Sequence, residues 1–190
     1  ALHGTHHIKA TEDGFLIGFD AGEYGGGLYW FSKDGKQRKK LGSENVIGFA
    51  ELSNGLVVVT GLAHLGMSVG HLAIVDKDAS GWSVKPWLDL GGAAETFARE
   101  SPSSMLVLTT GGLHRITVSG SDNEIAKTNY DSLYPNSMAI DNRGIVYVGM
   151  RQFVTRFVPT AQSYREEWLT REDCVATVRE KFECHCRGGA

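Results

Sequence analysis

Residues 135–149 read PNSMAIDNRGIVYVG, a pattern that the rest of the chain repeats in weaker form. An Asp-Asn-Arg-Gly segment lies between two short apolar runs rich in β-branched and aromatic residues, which is typical of a tight β-hairpin. Three weaker copies have their turns at residues 11–14, 52–55 and 100–104. The steps between equivalent residues are 41, 49 and 40, counted at Gly14, Gly55, Ser104 and Gly144. A period of about 40–50 residues indicates four-stranded repeats of the kind that form propeller blades.

Each hairpin copy is followed by a third apolar run and then by a more polar fourth run. The third runs are spaced by 44, 41 and 40 residues, counted at Leu28, Leu72, Leu113 and Phe153. The fourth runs cover residues 37–41, 82–90, 124–130 and 164–169. Each unit therefore predicts a four-stranded antiparallel meander. Its inner strands are apolar on both faces, so neighbouring units must stack to bury them.

The last unit carries a family resemblance. Its sequence PNSMAIDNRGIVYVGMRQFVTRF, residues 135–157, resembles the repeat of NHL-type and gluconolactonase-type β-propellers. In that repeat a Pro-Asn pair precedes the inner strand, and an Asp-x-x-Gly turn precedes the next strand. The likeness is good in the last unit, fair in the second, and poor in the first and third. The resemblance implies a propeller.

We expect an all-β fold, a β-propeller-like array of about four four-stranded antiparallel blades over residues 1–169. A short C-terminal helical tail should follow over residues 170–190, because Thr170 and the acidic residues after it are typical of a helix start. The alternative is a β-sandwich or barrel, since short strands with regular turns also occur in those folds. The matched third runs favour the propeller.

Propellers of the resembled families usually close with six blades, whereas this chain offers four. The alternatives are a small four-bladed ring, part of a larger propeller, or two chains that complete one ring. An open ring would leave apolar faces and strand edges in water, which predicts self-association.

Composition excludes two classes of partner. The formal net charge of −3 gives no electrostatic basis for binding nucleic acid. The one dense basic run, residues 36–40, falls where the exposed face of a strand is expected. No apolar run approaches the ~20 residues of a membrane helix, so we expect no membrane span.

All three cysteines, Cys174, Cys184 and Cys186, lie in the predicted tail. Cys174 is a disulfide candidate with either of the other two, which would staple the tail and leave one thiol over. Free thiols are a second alternative, and a metal site at Cys184-His185-Cys186 with Cys174 is a third, although its spacing matches no common zinc pattern. The cysteine placement and the start at Ala1 rather than Met lead us to expect a periplasmic or secreted protein.

Two connections predict a contact surface. Residues 20–26 and 61–70 look like long glycine-containing loops that carry Tyr, His and Met, whereas the third and fourth units have short connections. In a propeller such loops gather at one face. The predicted partner-binding residues are Glu23, Tyr24, His64, Met67, Glu95, Tyr134, Asn136 and Arg151.

Sequence motifs typical of catalytic or metal sites are only partly matched in this chain. In gluconolactonase-like propellers, Glu, Asn and Asp at the channel mouth hold a divalent cation, but only Asn136 matches that set here, and Glu95 lacks the Glu-Gly-Pro surroundings. The string GMSVG at residues 66–70 spells a nucleophile elbow, but it precedes a strand where that motif needs a helix, so we interpret it as a glycine-rich loop. We predict no catalytic residues, no metal and no cofactor.

The sequence thus predicts a non-catalytic, exported module that binds another protein. One such module is an inhibitor or immunity protein that neutralises a toxin or hydrolase. This suggestion rests on the general character of a small exported binding module and not on particular residues. The alternatives are a metal-dependent lactonase-like hydrolase and a fragment of a larger scaffold propeller.

Overall fold

The computed structural model describes residues 2–130 and 133–170, and most of these residues lie in β-strands. They form four sheets, each of four antiparallel strands in sequence order. The predicted all-β blades are therefore confirmed. The chain divides into two compact units, residues 1–129 and residues 130–190, and this division falls within the predicted propeller domain of residues 1–169.

The first unit contains three of the sheets. Its strands are β1 (Thr5–Thr11), β2 (Gly14–Asp20), β3 (Gly26–Ser32), β4 (Arg38–Gly42), β5 (Val46–Leu52), β6 (Gly55–His64), β7 (Met67–Asp78), β8 (Gly81–Asp89), β9 (Ala94–Ser101), β10 (Ser104–Thr109), β11 (Gly112–Thr117) and β12 (Asp122–Lys127). A 3-10 turn, Gly22–Tyr24, lies between β2 and β3. The basic run at residues 36–40 is exposed and ends in the outer strand β4, as predicted.

The three sheets pack in succession through apolar side chains. Leu16 and Leu28 of the first sheet share one core cluster with Val58 and Val75 of the second. A second cluster joins the second sheet to the third, and its members include Val57, Val59, Leu72, Met105 and Val107. All of these are buried, as expected of sheets that hide both faces only by stacking. Three sheets in succession are not the two layers of a sandwich, so that alternative is wrong.

Close approach between sheets depends on glycine. A Cβ atom added at Gly18 of β2 would lie 2.2 Å from Cγ1 of Val46 in β5. A Cβ atom added at Gly48 of β5 would lie 2.8 Å from Cε1 of Phe97 in β9 and 3.8 Å from Nδ1 of His7 in β1. The first strands of all three sheets therefore converge, which is the arrangement of inner strands in a propeller.

The second unit contains one sheet. Its strands are β13 (Ser137–Ile140), β14 (Val146–Gly149), β15 (Val154–Pro159) and β16 (Tyr164–Leu169). The turn that the sequence predicts between β13 and β14 is present. Oδ1 of Asp141 accepts hydrogen bonds from the backbone N–H groups of Arg143 and Ile145, both at 2.9 Å, and Gly144 has a φ of 75°. A side-chain acceptor and a left-handed residue are what Asp and Gly supply in such turns.

The predicted tail of residues 170–190 lies outside the described residues apart from Thr170. Its predicted helix and the disulfide candidates Cys174, Cys184 and Cys186 fall in that part of the chain. Among the residues that the structure describes, no helix is long and apolar enough to cross a bilayer.

Candidate protein-binding site

The connection predicted as a long loop over residues 61–70 is a β-hairpin, and the loop prediction is wrong. Strand β6 continues to His64 and β7 begins at Met67, with the ladder running from the Gly61–Gly70 pair to the His64–Met67 pair. Leu65 and Gly66 form the turn with φ values of 47° and 81°. Two successive positive φ values define a type I′ turn, which matches the twist of the two strands.

This hairpin projects beyond the rest of its sheet. The last pairs of β6 with β5 and of β7 with β8 are at Thr60 and His71. Gly61 donates a backbone hydrogen bond to Asn45 and Gly70 accepts one from Leu90, so residues 62–69 form a two-stranded ribbon. Alternation along a strand places His64, Met67 and Val69 on one face of the ribbon and Ser68 on the other.

The face that carries Ser68 is anchored. Oγ of Ser68 accepts a hydrogen bond from the backbone N–H of Ala93 at 2.8 Å and lies 2.7 Å from Oγ1 of Thr110, next to β9 and β10. Ser68 therefore lies in a strand with a structural hydrogen-bond set. The GMSVG string is neither a nucleophile elbow nor the glycine-rich loop that the sequence suggests.

The opposite face and the tip are apolar and exposed. Leu65 is 92% exposed, Met67 50% and Val69 44%. Large apolar side chains on a fixed ribbon contribute little to the protein's own core, so their exposure favours a role in contact with another molecule. The sequence prediction included Met67 but missed Leu65 and Val69. The sequence signal that could have indicated this hairpin is the Leu65-Gly66 pair, which lies between two runs of extended residues.

The 3-10 turn Gly22–Tyr24 lies against this hairpin. Oδ1 of Asp20 fixes it by accepting hydrogen bonds from the Gly22 backbone N–H at 2.9 Å and from Nδ2 of Asn45 at 2.7 Å, and Nδ2 of Asn45 also donates to the Gly22 carbonyl at 2.8 Å. The turn presents Tyr24, which is 76% exposed.

A close contact between two polar side chains joins the two elements. Nε2 of His64 lies 2.7 Å from Oε2 of Glu23. The structure therefore brings together four of the predicted residues, Glu23, Tyr24, His64 and Met67. We call these residues with Leu65 and Val69 the hairpin patch.

Glu95 lies away from the exposed tip, near the start of β9, and is partly buried. Burial raises the pKa of the Glu95 carboxyl, and the negative charge of Asp20 raises it further. Burial also lowers the pKa of His7, against the opposing charge of Asp20. The charge of Asp20 acts on both pKa values, and Asp20 is also the residue whose carboxylate holds the 3-10 turn.

The second unit brings together the other three predicted residues. The guanidinium carbon of Arg151 lies 3.9 Å from the centre of the Tyr134 ring, a cation-π contact. Tyr134 has a φ of 56° and is 53% exposed. Nδ2 of Asn136 donates to the Tyr134 carbonyl at 3.4 Å. Tyr134, Asn136 and Arg151 thus form a second exposed polar and aromatic group.

The divalent cation of gluconolactonase-like propellers does not fit this arrangement. Oδ1 of Asn136, the one matched ligand, accepts a hydrogen bond from the Ser137 hydroxyl at 2.9 Å. Within residues 2–130 and 133–170, no three His, Cys, Asp or Glu side chains are grouped so that they could hold a metal ion.

Comparison with known proteins supports the fold. No protein-family model and no curated protein sequence matches the chain. The solved extracellular domain assigned to a hybrid two-component system of B. thetaiotaomicron aligns with 87% of this chain and 22% of its own length, at 10% identity and a TM-score of 0.58. A domain from the same organism, assigned to a one-component system, aligns with 84% of this chain and 21% of its own length, at 11% identity and a TM-score of 0.56.

A gluconolactonase from Xanthomonas campestris aligns with 83% of this chain and 59% of its own length, at 12% identity and a TM-score of 0.51. With four four-stranded meanders, these similarities define the class of fold: the chain is built of β-propeller blades, as the resemblance implied. The chain spans about a fifth of the two extracellular domains and 59% of the gluconolactonase.

Proposed function

We propose that the chain is a non-catalytic propeller module that binds another protein through the hairpin patch. The observation that carries the proposal is the exposure of Leu65 and Tyr24 on elements that are themselves held firmly. Preorganised apolar side chains bind without the entropic cost of ordering a loop.

The patch combines the two components that protein interfaces use. Its centre is apolar, with Leu65, Met67, Val69 and the ring of Tyr24, and the pair of Glu23 and His64 supplies polar groups beside it. Interface hot spots are enriched in aromatic side chains with polar groups around an apolar centre. A toxin- or hydrolase-neutralising role is one form of such a complex.

The proposal includes a location outside the cytoplasm. Two similar structures are extracellular domains, which supports a periplasmic or secreted location. The proposal also includes further blades that accompany these four, since the similar structures are longer than this chain.

Affinity capture from an extract of the source organism tests the proposal. The bait is the wild-type chain, and the test variant is Leu65→Ser with Met67→Ser. Ala79→Ser is the matched control, because Ala79 is also apolar and exposed but lies in the turn between β7 and β8, at the other end of the same sheet. A captured protein is then purified and titrated calorimetrically against each form.

We expect the wild type and the control to bind equally and the double variant to bind at least about tenfold more weakly, as for loss of a hot spot. Light scattering reports whether the partner is a second copy of the chain. If the double variant keeps every partner with unchanged affinity, the hairpin patch is not the binding surface.

A further inference from the structure

A cavity of about 680 Å³ lies between the first two sheets of the first unit, apart from the hairpin patch. Its apolar wall comes from Leu28 and Val58 of the interblade core and from Val84 and Leu88 of the outer strand β8. Sites for small molecules usually have volumes of about 300–1,000 Å³ and mostly apolar linings with a few polar groups. This cavity has both properties.

The backbone opens the cavity at this position. The outer strands β4 and β8 are tied together at one end, where Nζ of Lys39 donates to the Trp82 carbonyl at 3.0 Å. The pairing of each outer strand shifts register beside the cavity. The β3–β4 pairing shifts between Leu28 and Tyr29, and the β7–β8 pairing shifts between Leu72 and Ala73. Such bulges bend strands and are frequent next to functional sites.

The polar end of the cavity is acidic. Oε2 of Glu44 accepts a hydrogen bond from Oγ1 of the buried Thr60 at 3.0 Å, and its Oε1 lies 3.2 Å from Nδ1 of His71. These two contacts orient the carboxylate of Glu44, whose side chain is 57% exposed. Asp89 adds a second carboxylate, and none of the described residues that line the cavity is Lys or Arg.

From this combination we infer that the cavity binds a small amphipathic amine. The apolar body of the ligand fills the space between the sheets, and its protonated amine pairs with Glu44 and Asp89. The two carboxylates favour a cationic ligand, because a ligand carboxylate at the same end would meet like charges and no lysine or arginine lines the cavity.

Isothermal titration calorimetry of the wild-type chain with three probes tests this inference. The probes are 4-phenylbutylamine, 4-phenyl-1-butanol and 4-phenylbutyrate, which share one apolar body and differ in the charged or neutral head. We expect the amine to bind about tenfold more tightly than the alcohol, and the alcohol more tightly than the carboxylate. Equal affinities for all three probes, or binding by none of them, would overturn the inference.

Two variants locate the binding. Glu44→Gln keeps the shape and should reduce the preference for the amine over the alcohol, since Asp89 remains as the second carboxylate. Val84→Phe fills the cavity and should weaken all three probes. Asp76→Asn is the matched control, because Asp76 lies on the same strand as His71, pairs with Lys85 and does not line the cavity. If Val84→Phe does not fold, the comparison of Glu44→Gln with Asp76→Asn decides. An equal ratio of amine affinity to alcohol affinity in these two variants would contradict the site.

Discussion

Nε2 of His64, at the end of strand β6, lies 2.7 Å from Oε2 of Glu23, in the 3-10 turn that follows β2. This pair connects two successive blades at their exposed connections. It also places Tyr24 beside a hairpin whose tip is Leu65. The candidate binding surface thus depends on a contact between elements from different sheets, and local sequence does not encode such a contact.

Glu23→Gln should loosen the hairpin without unfolding the blades. The pair is partly exposed, and pairs of this kind contribute little to global stability. We expect backbone amides of residues 62–69 to exchange about two- to fivefold faster while the melting temperature is nearly unchanged. Hydrogen exchange followed by mass spectrometry measures this, with Glu124→Gln on β12 as the control. Unchanged exchange at residues 62–69 would show that the pair does not hold the hairpin.

Gly61→Ala should destabilise the first unit, because a Cβ atom at Gly61 would lie 2.3 Å from the Ala94 carbonyl oxygen and 2.7 Å from its nitrogen. Both are backbone atoms, so the sheets themselves must move apart. We expect the free energy of unfolding in urea to fall by roughly 2 kcal/mol or more.

Gly111→Ala is the matched control for this experiment. The nearest atom to a Cβ atom there would be Oγ1 of Thr109 at 3.9 Å, so we expect a change within about 1 kcal/mol. Equal effects of the two substitutions would contradict the close packing of β6 against β9.

Asp13→Asn should weaken the contact between the first two sheets. The Asp13 carboxylate lies 2.9 Å from Nζ of Lys77 and accepts a hydrogen bond from Nε1 of Trp82 at 3.2 Å. The hydrogen bond to Lys77, with those to Thr11 and Trp82, lowers the pKa of Asp13 to about 2. A carboxyl whose pKa is lower in the folded state stabilises the fold above its ordinary pKa of 3.8.

That contribution is lost as the pH falls from about 4 towards 2. We therefore expect the variant to melt a few degrees below the wild type at neutral pH, and the difference to shrink in acid. Calorimetric melting of both proteins across this range measures the effect. A difference that grows as the pH falls would have the wrong sign for a carboxylate acceptor.

Much of the fold was accessible from the sequence. Turn residues such as Asp141 and Gly144 carry their own conformational signal, and period-two apolar runs mark the strands, so the four meanders and the last strand, Tyr164–Leu169, were predicted closely. The stacking followed from the need to bury both faces of each inner strand.

The hairpin at residues 61–70 was not predicted because Gly61 and Gly70 allow close packing and do not mark a loop. Gly61 and Gly70 are small so that β6 and β7 can approach Ala94, not to make a turn. The turn itself uses Leu65 at a positive φ, which local preference disfavours. The pairing of Glu23 with His64 and the cavity beside the β7–β8 bulge depend on register between strands, which apolar periodicity does not define.

Site-specific photocrosslinking in cells of the source organism tests the binding proposal most directly. Leu65 is replaced by p-benzoylphenylalanine in one form of the chain, and Ala79, which is exposed in the turn at the other end of β7, in the other. The account predicts a discrete covalent adduct with one partner protein from position 65 and none from position 79. An adduct of equal yield from both positions, or from position 79 alone, would contradict it.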